Sequence, residues 1–464
     1  MSKEYFYDLN KSYELKGYWQ FKNGEEAEEI AGILKLSKDE IRLELFAPIW
    51  NFFSRKEQIF DVLNGRLLNG EAVSLIDVSI TFLGETTDFH AGYCVIGEIF
   101  NSSEEATFEN FYICQKDLRN WIWKKTSDFS DNGKELEYKL STPKKDFEIQ
   151  VNDNLIISNF YATRHQWSIY NEPYFEQNIC LVFKSITTPF NLKEVITKYI
   201  YDWNVLFSIM VGRVCNIEYV KSKKGNNFIH IFYRKDHYPS KEIPGPSMII
   251  PYSLIQDNFE NILKIWFNQT NKIKKFAKEL FMSGFEIWNL NQLTKEGFLN
   301  LFQAIEGLSE INEQEYRVEN DIIEELENLA KKFLESKNVK SSIAKKIYKR
   351  IPGLNEKKPA NILVENFLQN KLNKEIYELL KFNNEYIEEM TTIRHTLSHN
   401  KGQNYYDIIT HSEFQDMYLK MLVSLFYAFA VDSGIDKEIV ISGIKNRCAW
   451  IKNFTRHLDN INTI

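Results

Sequence analysis

The chain has 464 residues, too many for one ordinary hydrophobic core, so we expect two or three domains. Its composition, 44% hydrophobic and 26% charged, is that of a folded chain in water. The formal net charge is −7. Nonspecific coating of nucleic acid is therefore excluded, because such binding needs clustered lysine and arginine. Any contact with nucleic acid is expected to be local.

The first residues carry charges throughout and lack the apolar core of a secretion signal. The longest apolar runs, which end at Gly212 and Val431, are shorter than the roughly 18–20 residues that cross a bilayer. The five cysteines are far apart and odd in number, which favours reduced thiols over a disulfide framework. We therefore expect a cytoplasmic protein without membrane contact.

The first half of the chain, from Tyr13 to about Val220, follows the period of two that is typical of strands. For example, Ile41 and Leu43 alternate with Arg42 and Glu44. Residues 192–211 interrupt this pattern with a predicted helix that opens after Asn191 as N-cap. A hairpin is predicted around Gly225, which can take a positive φ. We predict a β-rich, two-layer first domain.

After Pro251 the apolar residues follow the helical period. Phe298, Leu301 and Ile305 mark one stripe, which Phe302 and Leu308 extend. Further helices are predicted over residues 319–335, 341–350, 360–380, 385–399, 412–431 and 438–454. The predicted class is therefore α+β, with a β-rich domain over residues 1–284 and an all-α bundle over residues 285–464.

The sequence IRHTLSHNKG, residues 393–402, places Arg394, His395 and His399 late in the predicted helix 385–399. The negative end of a helix dipole favours a protonated imidazole, which suits His399 to giving and taking a proton. Arg394 and His399 lie about 140° apart around an ideal helix. A site that uses both is therefore a broad groove, or it gathers residues from two chains across a twofold axis.

These residue types fit RNA cleavage. His399 can take the proton of a ribose 2′-hydroxyl or protonate the leaving 5′-oxygen. Arg394 offers a charged fork to the phosphate oxygens. Because the nucleophile belongs to the RNA, no metal or other cofactor is required. The products would be a 2′,3′-cyclic phosphate and a 5′-hydroxyl, and DNA would stay intact.

Three other interpretations remain open. An arginine and a histidine at this spacing occur by chance in about one sequence in five of this composition, so plain helix surface is one of them. His395 and His399 have the i, i+4 spacing of zinc ligands, although H-E-x-x-H and a third ligand are missing. The third alternative is a noncatalytic helical module that binds a partner or dimerises.

Arg394-His395-x3-His399 resembles the R-polar-x3-H motif of the HEPN superfamily. The flanking segments FLNLFQAIEGLSEI and EFQDMYLKMLVSLFYAFAVDSGI are placed as in the Apea-like HEPN domain. In the first half, LKGYWQF, IAGILKLS, GRLLNGEAVSLID and YCVIGEIF resemble the ApeA N-terminal domain in order and spacing. The resemblance covers most of the chain.

The resemblance implies an anti-phage abortive-infection protein. A β-rich module, which receives a phage-encoded trigger, would control a metal-independent HEPN ribonuclease that works as a homodimer or a larger even assembly. The expected substrate is tRNA, cut near the anticodon. Arg394 and His399 carry over as catalytic residues, and His395 carries over at the polar position as an orienting or phosphate-contacting group.

Several basic side chains are candidates for RNA contact. They are Lys345, Lys346, Lys349 and Arg350, together with Lys401 after the predicted helix 385–399. A run of charges on a helix is also typical of a solvated face, which is the alternative interpretation.

Overall fold

A computed structural model describes residues 7–23, 26–48, 59–122, 127–131, 136–140, 145–166, 174–225, 227–234, 248–269, 271–282, 294–309, 320–337, 339–348, 351, 360–399 and 411–447. The chain groups into two compact units. The first is formed by Met1–Gln269 with Ser433–Ile464, and the second by Thr270–Asp432. The predicted domain boundary after Gly284 lies outside the described residues.

The first unit is built mainly of strands. They are β1 (Tyr13–Asn23), β2 (Glu26–Leu36), β3 (Ile41–Leu45), β4 (Ile59–Leu67), β5 (Ala72–Leu83), β6 (Thr87–Ile96), β7 (Thr107–Phe108), β8 (Asn110–Cys114), β9 (Ser127–Asp131), β10 (Leu136–Leu140), β11 (Glu148–Asn152), β12 (Leu155–Gln166), β13 (Tyr174–Ser185), β14 (Phe190–Asn191), β15 (Tyr219–Lys224) and β16 (Asn227–Tyr233).

Up to residue 269, the described helices of this unit are α1 (Lys116–Ile122), α2 (Leu192–Glu194), α3 (Tyr201–Val211), α4 (Tyr252–Ile255) and α5 (Phe259–Asn268). A π-helical segment, Val195–Ile200, joins α2 to α3, and a 3-10 turn, Gln256–Asn258, joins α4 to α5. α1 packs against β13, and α5 packs against β11.

Strands β1 to β6 close into an antiparallel barrel, in the order β6-β3-β2-β1-β4-β5 and back to β6. Trp19 is fully buried and lies opposite Gly65 on the neighbouring strand. A Cβ atom at Gly65 would come within 2.4 Å of the indole Cε3, so only glycine leaves room for that ring. The wall of the barrel is therefore fitted to one large aromatic side chain.

β6 also pairs with β16, and the sheet continues through β15, β8, β13 and β12 to β11. The prediction of a β-rich first half is confirmed. The structure corrects the expected two-layer arrangement, because a closed barrel and a six-strand extension share one strand. Closure requires β6 to pair with β3 and with β5 as well, and strand alternation alone does not reveal such long-range pairing.

Two local predictions in the first unit are confirmed. Asn191 caps the helical segment, since its Oδ1 accepts a hydrogen bond from the Lys193 backbone N–H at 3.0 Å. Gly225 takes φ 60° in the turn of the β15–β16 hairpin.

The second unit is helical in its described part. Its helices are α6 (Asn271–Met282), α7 (Lys295–Leu308), α8 (Asn320–Ser336), α9 (Ser341–Tyr348), α10 (Ala360–Lys371), α11 (Lys374–Leu379), α12 (Asn384–His399) and α13 (His411–Asp432). α7 contacts α6, α10, α12 and α13, so it is central to the unit. Its predicted stripe is buried, with Phe298, Leu301 and Phe302 fully covered.

Two helix predictions need correction. The single helix predicted over residues 360–380 is broken, because Asn373 caps α11 by accepting a hydrogen bond from the Glu375 backbone N–H at 2.8 Å. The last described helix, α14 (Lys437–Arg447), belongs to the first unit and not to the helical one. There Gly443 lies so close to Ile249 that an added Cβ would come within 2.4 Å of its carbonyl oxygen. Among the described helices, none is both long and apolar enough to cross a membrane.

Candidate active site

α12 carries the three candidate catalytic residues, and its own sequence fixes how it lies. Asn383 accepts a hydrogen bond from the Tyr386 backbone N–H at 2.7 Å, so the first turn has a cap. The predicted apolar face is buried at its four positions Ile387, Met390, Ile393 and Leu397. This helix contacts α7 and α10. The buried face therefore sets the rotation of α12, and with it the direction of the polar positions.

Arg394 is held at the edge of α12 by two residues of α7. Its Nη2 lies 3.3 Å from Oε2 of Glu306. The guanidinium carbon lies 5.8 Å from the centroid of the Phe302 ring, within cation–π range. A third of the arginine side chain is exposed. The guanidinium is thus positioned on one side and open to solvent in part.

The two histidines lie further along the same helix. His395 is exposed. His399 is the last residue of α12, as the sequence predicts, and its side chain lies outside the described residues. The structure therefore confirms the backbone placement of the motif late in a helix. The side-chain geometry of Arg394 relative to His399 stays a prediction.

The candidate RNA-contacting residues are placed only in part. Lys345 is exposed on α9, and Lys346 belongs to the same helix, although its side chain lies outside the described residues. Lys349, Arg350 and Lys401 also lie outside them. α9 packs against α8, whereas α12 packs against α7 and α10. Lys345 and Arg394 are therefore carried by different helix pairs.

A polar cluster in the second unit was missed by the sequence analysis. Lys420 on α13 is buried, its Nζ lies 2.9 Å from Oδ2 of Asp416, and it stands 3.9 Å from the centroid of the Tyr386 ring on α12. Burial, and then the charge of Asp416, raises the pKa of Tyr386. A lysine inside the apolar run of α13, four residues after an aspartate, is the signal that could have revealed it.

Acidic side chains gather beside this cluster. The pKa of Glu389 is raised by burial and by the negative charges of Glu413, Glu385 and Asp416. Among the described residues, no group of three or more His, Cys, Asp or Glu side chains is arranged to hold a metal ion. Lys420 pairs with Asp416 on its own helix, and its contact with the Tyr386 ring joins α13 to α12.

The arrangement around Arg394 suits recognition of a phosphate. A guanidinium has five N–H donors in a rigid plane, and Glu306 engages Nη2 at one edge. The rest of the fork can approach an anion without releasing the carboxylate. Because Glu306 occupies only Nη2, the same arginine can be held in place by its own chain and still bind a ligand through its other N–H groups.

The comparisons with known proteins bear on the first unit. The family model described as ApeA N-terminal domain 1 matches residues 14–266. This range is more than half of the chain and runs from β1 into α5. No curated protein and no solved structure matches the chain.

Proposed function

The chain belongs to the ApeA family, and from that premise we propose that it is an antiviral defence protein whose second unit is a HEPN-type endoribonuclease. The matched N-terminal domain supports the defence role. The nuclease part of the proposal depends on residues outside the matched range. It is carried by Arg394 and by the position of His399 at the end of α12.

The proposal rests on the contacts and the exposure of Arg394. Glu306 and Phe302 hold its guanidinium from one side, and a third of the side chain is exposed. A charged group that is fixed before the substrate binds stabilises developing charge without reorganising during the reaction. We therefore assign Arg394 to the nonbridging phosphate oxygens, and Glu306 acts as a positioning residue.

His399 is the proposed acid–base group. It takes the proton of the ribose 2′-hydroxyl, whose oxygen attacks the adjacent phosphorus, or it protonates the departing 5′-oxygen. The P–O5′ bond breaks, which leaves a 2′,3′-cyclic phosphate and a 5′-hydroxyl. His395 is proposed to orient the substrate or to contact phosphate. The nucleophile comes from the RNA.

The proposed partners follow from this chemistry. The substrate is RNA, and tRNA cut near the anticodon is the proposed target. Lys345, Lys346, Lys349, Arg350 and Lys401 are proposed to contact its backbone. The enzyme acts in the cytoplasm as a homodimer or a larger even assembly, so that two Arg394/His399 pairs can frame one phosphate. The first unit is proposed to receive a phage-encoded trigger.

Purified full-length protein incubated with total RNA in the presence of a chelator tests the proposed chemistry. We expect tRNA fragments that carry 2′,3′-cyclic phosphate and 5′-hydroxyl ends. Matched oligonucleotides with 2′-deoxyribose at the cleaved position should stay intact. Cleavage of the deoxy substrate, or loss of all cleavage in chelator, would contradict the proposed mechanism.

A noncatalytic binding module is the second candidate. It is favoured by four large apolar side chains that α8 exposes to solvent: Ile322, Leu326, Leu329 and Phe333. Growth during overexpression separates the two candidates. A nuclease arrests growth in a way that His399→Ala relieves, whereas a binding module gives the same growth with and without that substitution.

A further inference from the structure

α8 presents an apolar seam to solvent. Ile322, Leu326, Leu329 and Phe333 are between 42% and 61% exposed, although large apolar side chains are ordinarily covered. Their spacings of four, three and four residues are those of a coiled-coil seam. Clustered apolar surface of this kind marks a site of interaction with another protein surface.

The seam is distinct from the face that α8 uses in its own unit. Ile323 and Leu334 are buried, at 8% and 9% exposure. On an ideal helix these two residues lie about 100° away from the middle of the seam. One face of α8 is therefore packed within its own unit. The neighbouring face, which carries the seam, is not covered by any described residue.

The four residues of the seam are spaced symmetrically about its centre. If a second α8 runs antiparallel, with the twofold axis between Glu327 and Asn328, Ile322 meets Phe333 and Leu326 meets Leu329. Both pairs form twice, because a twofold axis repeats each contact. An isologous interface requires this kind of self-complementarity.

The charges along α8 favour the same direction. Its first half carries Asp321, Glu324, Glu325 and Glu327 without a lysine, and its second half carries Lys331, Lys332 and Glu335. Glu325 and Lys332 are seven residues apart and flank the seam on the same side. Antiparallel pairing brings Glu325 of one copy near Lys332 of the other, whereas parallel pairing sets the acidic halves against each other.

From these observations we propose that α8 is a docking surface for α8 of a second copy of this chain, in antiparallel orientation. The pairing uses no residue of the proposed nuclease site, so the two proposals fail independently. α8 is about 25 Å long. One helix face buries far less than the roughly 800 Å² per partner of a standard interface, so the contact is expected to be weak and concentration-dependent.

Sedimentation of the full-length protein over a roughly hundredfold range of concentration tests the surface. Leu329→Glu places a charge in the middle of the seam and is expected to lower the average mass at high concentration. Leu254→Glu is the matched control, because Leu254 is a similarly exposed leucine of the first unit. The proposal is overturned if wild type and Leu329→Glu sediment alike at every concentration, or if Leu254→Glu lowers the mass equally.

Charge reversal tests the partner and the register. Glu325→Lys and Lys332→Glu each replace two attractive pairs with two repulsive ones, so each is expected to weaken association about three- to tenfold. The double variant Glu325→Lys/Lys332→Glu should restore it, and so should an equal mixture of the two single variants. Failure of both restorations overturns the antiparallel pairing.

Disulfide trapping tests the direction. A chain with Leu326→Cys mixed with a chain with Leu329→Cys should form a mixed disulfide under mild oxidation. Ile322→Cys alone should not, because its two copies would lie about 16 Å apart along the pair, beyond the roughly 7 Å between Cα atoms that a disulfide spans. The four described native cysteines are buried and should not interfere. Trapping of Ile322→Cys with itself, without the mixed product, contradicts the proposal.

Discussion

Arg213 in the first unit and Arg394 in the second are both held by a carboxylate, and they differ in what surrounds them. Arg213 is 3% exposed, and its Nη2 lies 2.8 and 2.7 Å from the two oxygens of Asp117. Arg394 is 33% exposed and meets Glu306 through one contact of 3.3 Å. The buried arginine is enclosed by the fold, whereas a third of the Arg394 side chain is open to solvent and can approach a ligand.

The same contrast extends to the apolar residues. Trp19, Trp121, Trp203 and Trp266 of the first unit are all buried, and the indole N–H groups of the last three donate hydrogen bonds of 2.7–2.8 Å within that unit. The second unit leaves the seam of α8 exposed. The first unit thus buries these four tryptophans, while its exposed apolar side chains, such as Ile59 and Leu68, lie on different segments. In the second unit, four exposed apolar side chains lie on one helix, α8.

The largest expected effect on stability comes from breaking the buried pair of the first unit. Asp117→Ala leaves the Arg213 charge buried without its carboxylate, which should lower the free energy of unfolding by about 3–5 kcal/mol. Glu306→Ala removes the exposed pair and should cost about 1 kcal/mol or less. Chemical denaturation of both variants measures the difference. Equal losses of stability in the two variants would contradict the expected effect of burial on these ion pairs.

A second effect concerns His230 of the first unit, whose pKa is lowered to about 4 by burial and by the charge of Lys221. Between about pH 6.5 and pH 4, His230 binds a proton in the unfolded chain but stays neutral in the folded chain. Stability should therefore fall from about pH 6.5 to about pH 4, by roughly 3 kcal/mol at the acid end.

His230→Phe tests this pH dependence, because the variant keeps an aromatic ring against Tyr7, whose ring centroid lies 5.2 Å away. Unfolding by denaturant at several pH values should give a shallower acid limb for the variant than for the wild type. Identical acid limbs would rule out His230 as the group responsible.

The smallest effect concerns the cap of the helix that carries the candidate site. Asn383→Ala removes the acceptor for the Tyr386 backbone N–H and should destabilise the protein by about 1 kcal/mol. Asn384→Ala, one position later and exposed, is the control and should change little. Thermal unfolding of the two variants provides the comparison. A larger loss of stability in Asn384→Ala than in Asn383→Ala would contradict the assignment of Asn383 as the cap.

Sequence patterns predicted the local features because each depends on neighbouring residues. The cap at Asn191, the turn at Gly225 and the buried face of α12 are examples. The closed barrel was not predicted, because it depends on pairing between strands that are far apart in the chain. The break at Asn373 was hidden, because apolar residues continue at helical spacing on both sides of it.

In the candidate site, too, local features were predicted from the sequence and long-range contacts were not. The placement of Arg394 and His399 late in one helix follows from apolar period and caps, and the structure confirms it. The partner of Arg394 could not be predicted, because Glu306 lies 88 residues earlier and meets it only through helix packing. Buried Lys420 was overlooked for a different reason, since its i, i+4 spacing from Asp416 was not weighed against the apolar run that surrounds it.

The central claim is that Arg394 and His399 cleave RNA, and single-turnover cleavage of tRNA by variant proteins tests it most directly. Arg394→Ala and His399→Ala should each slow cleavage by about a hundredfold or more while the fold survives. Arg66→Ala and His90→Ala, matched substitutions in the first unit, should cleave at the wild-type rate. Wild-type rates in both Arg394→Ala and His399→Ala would contradict the account.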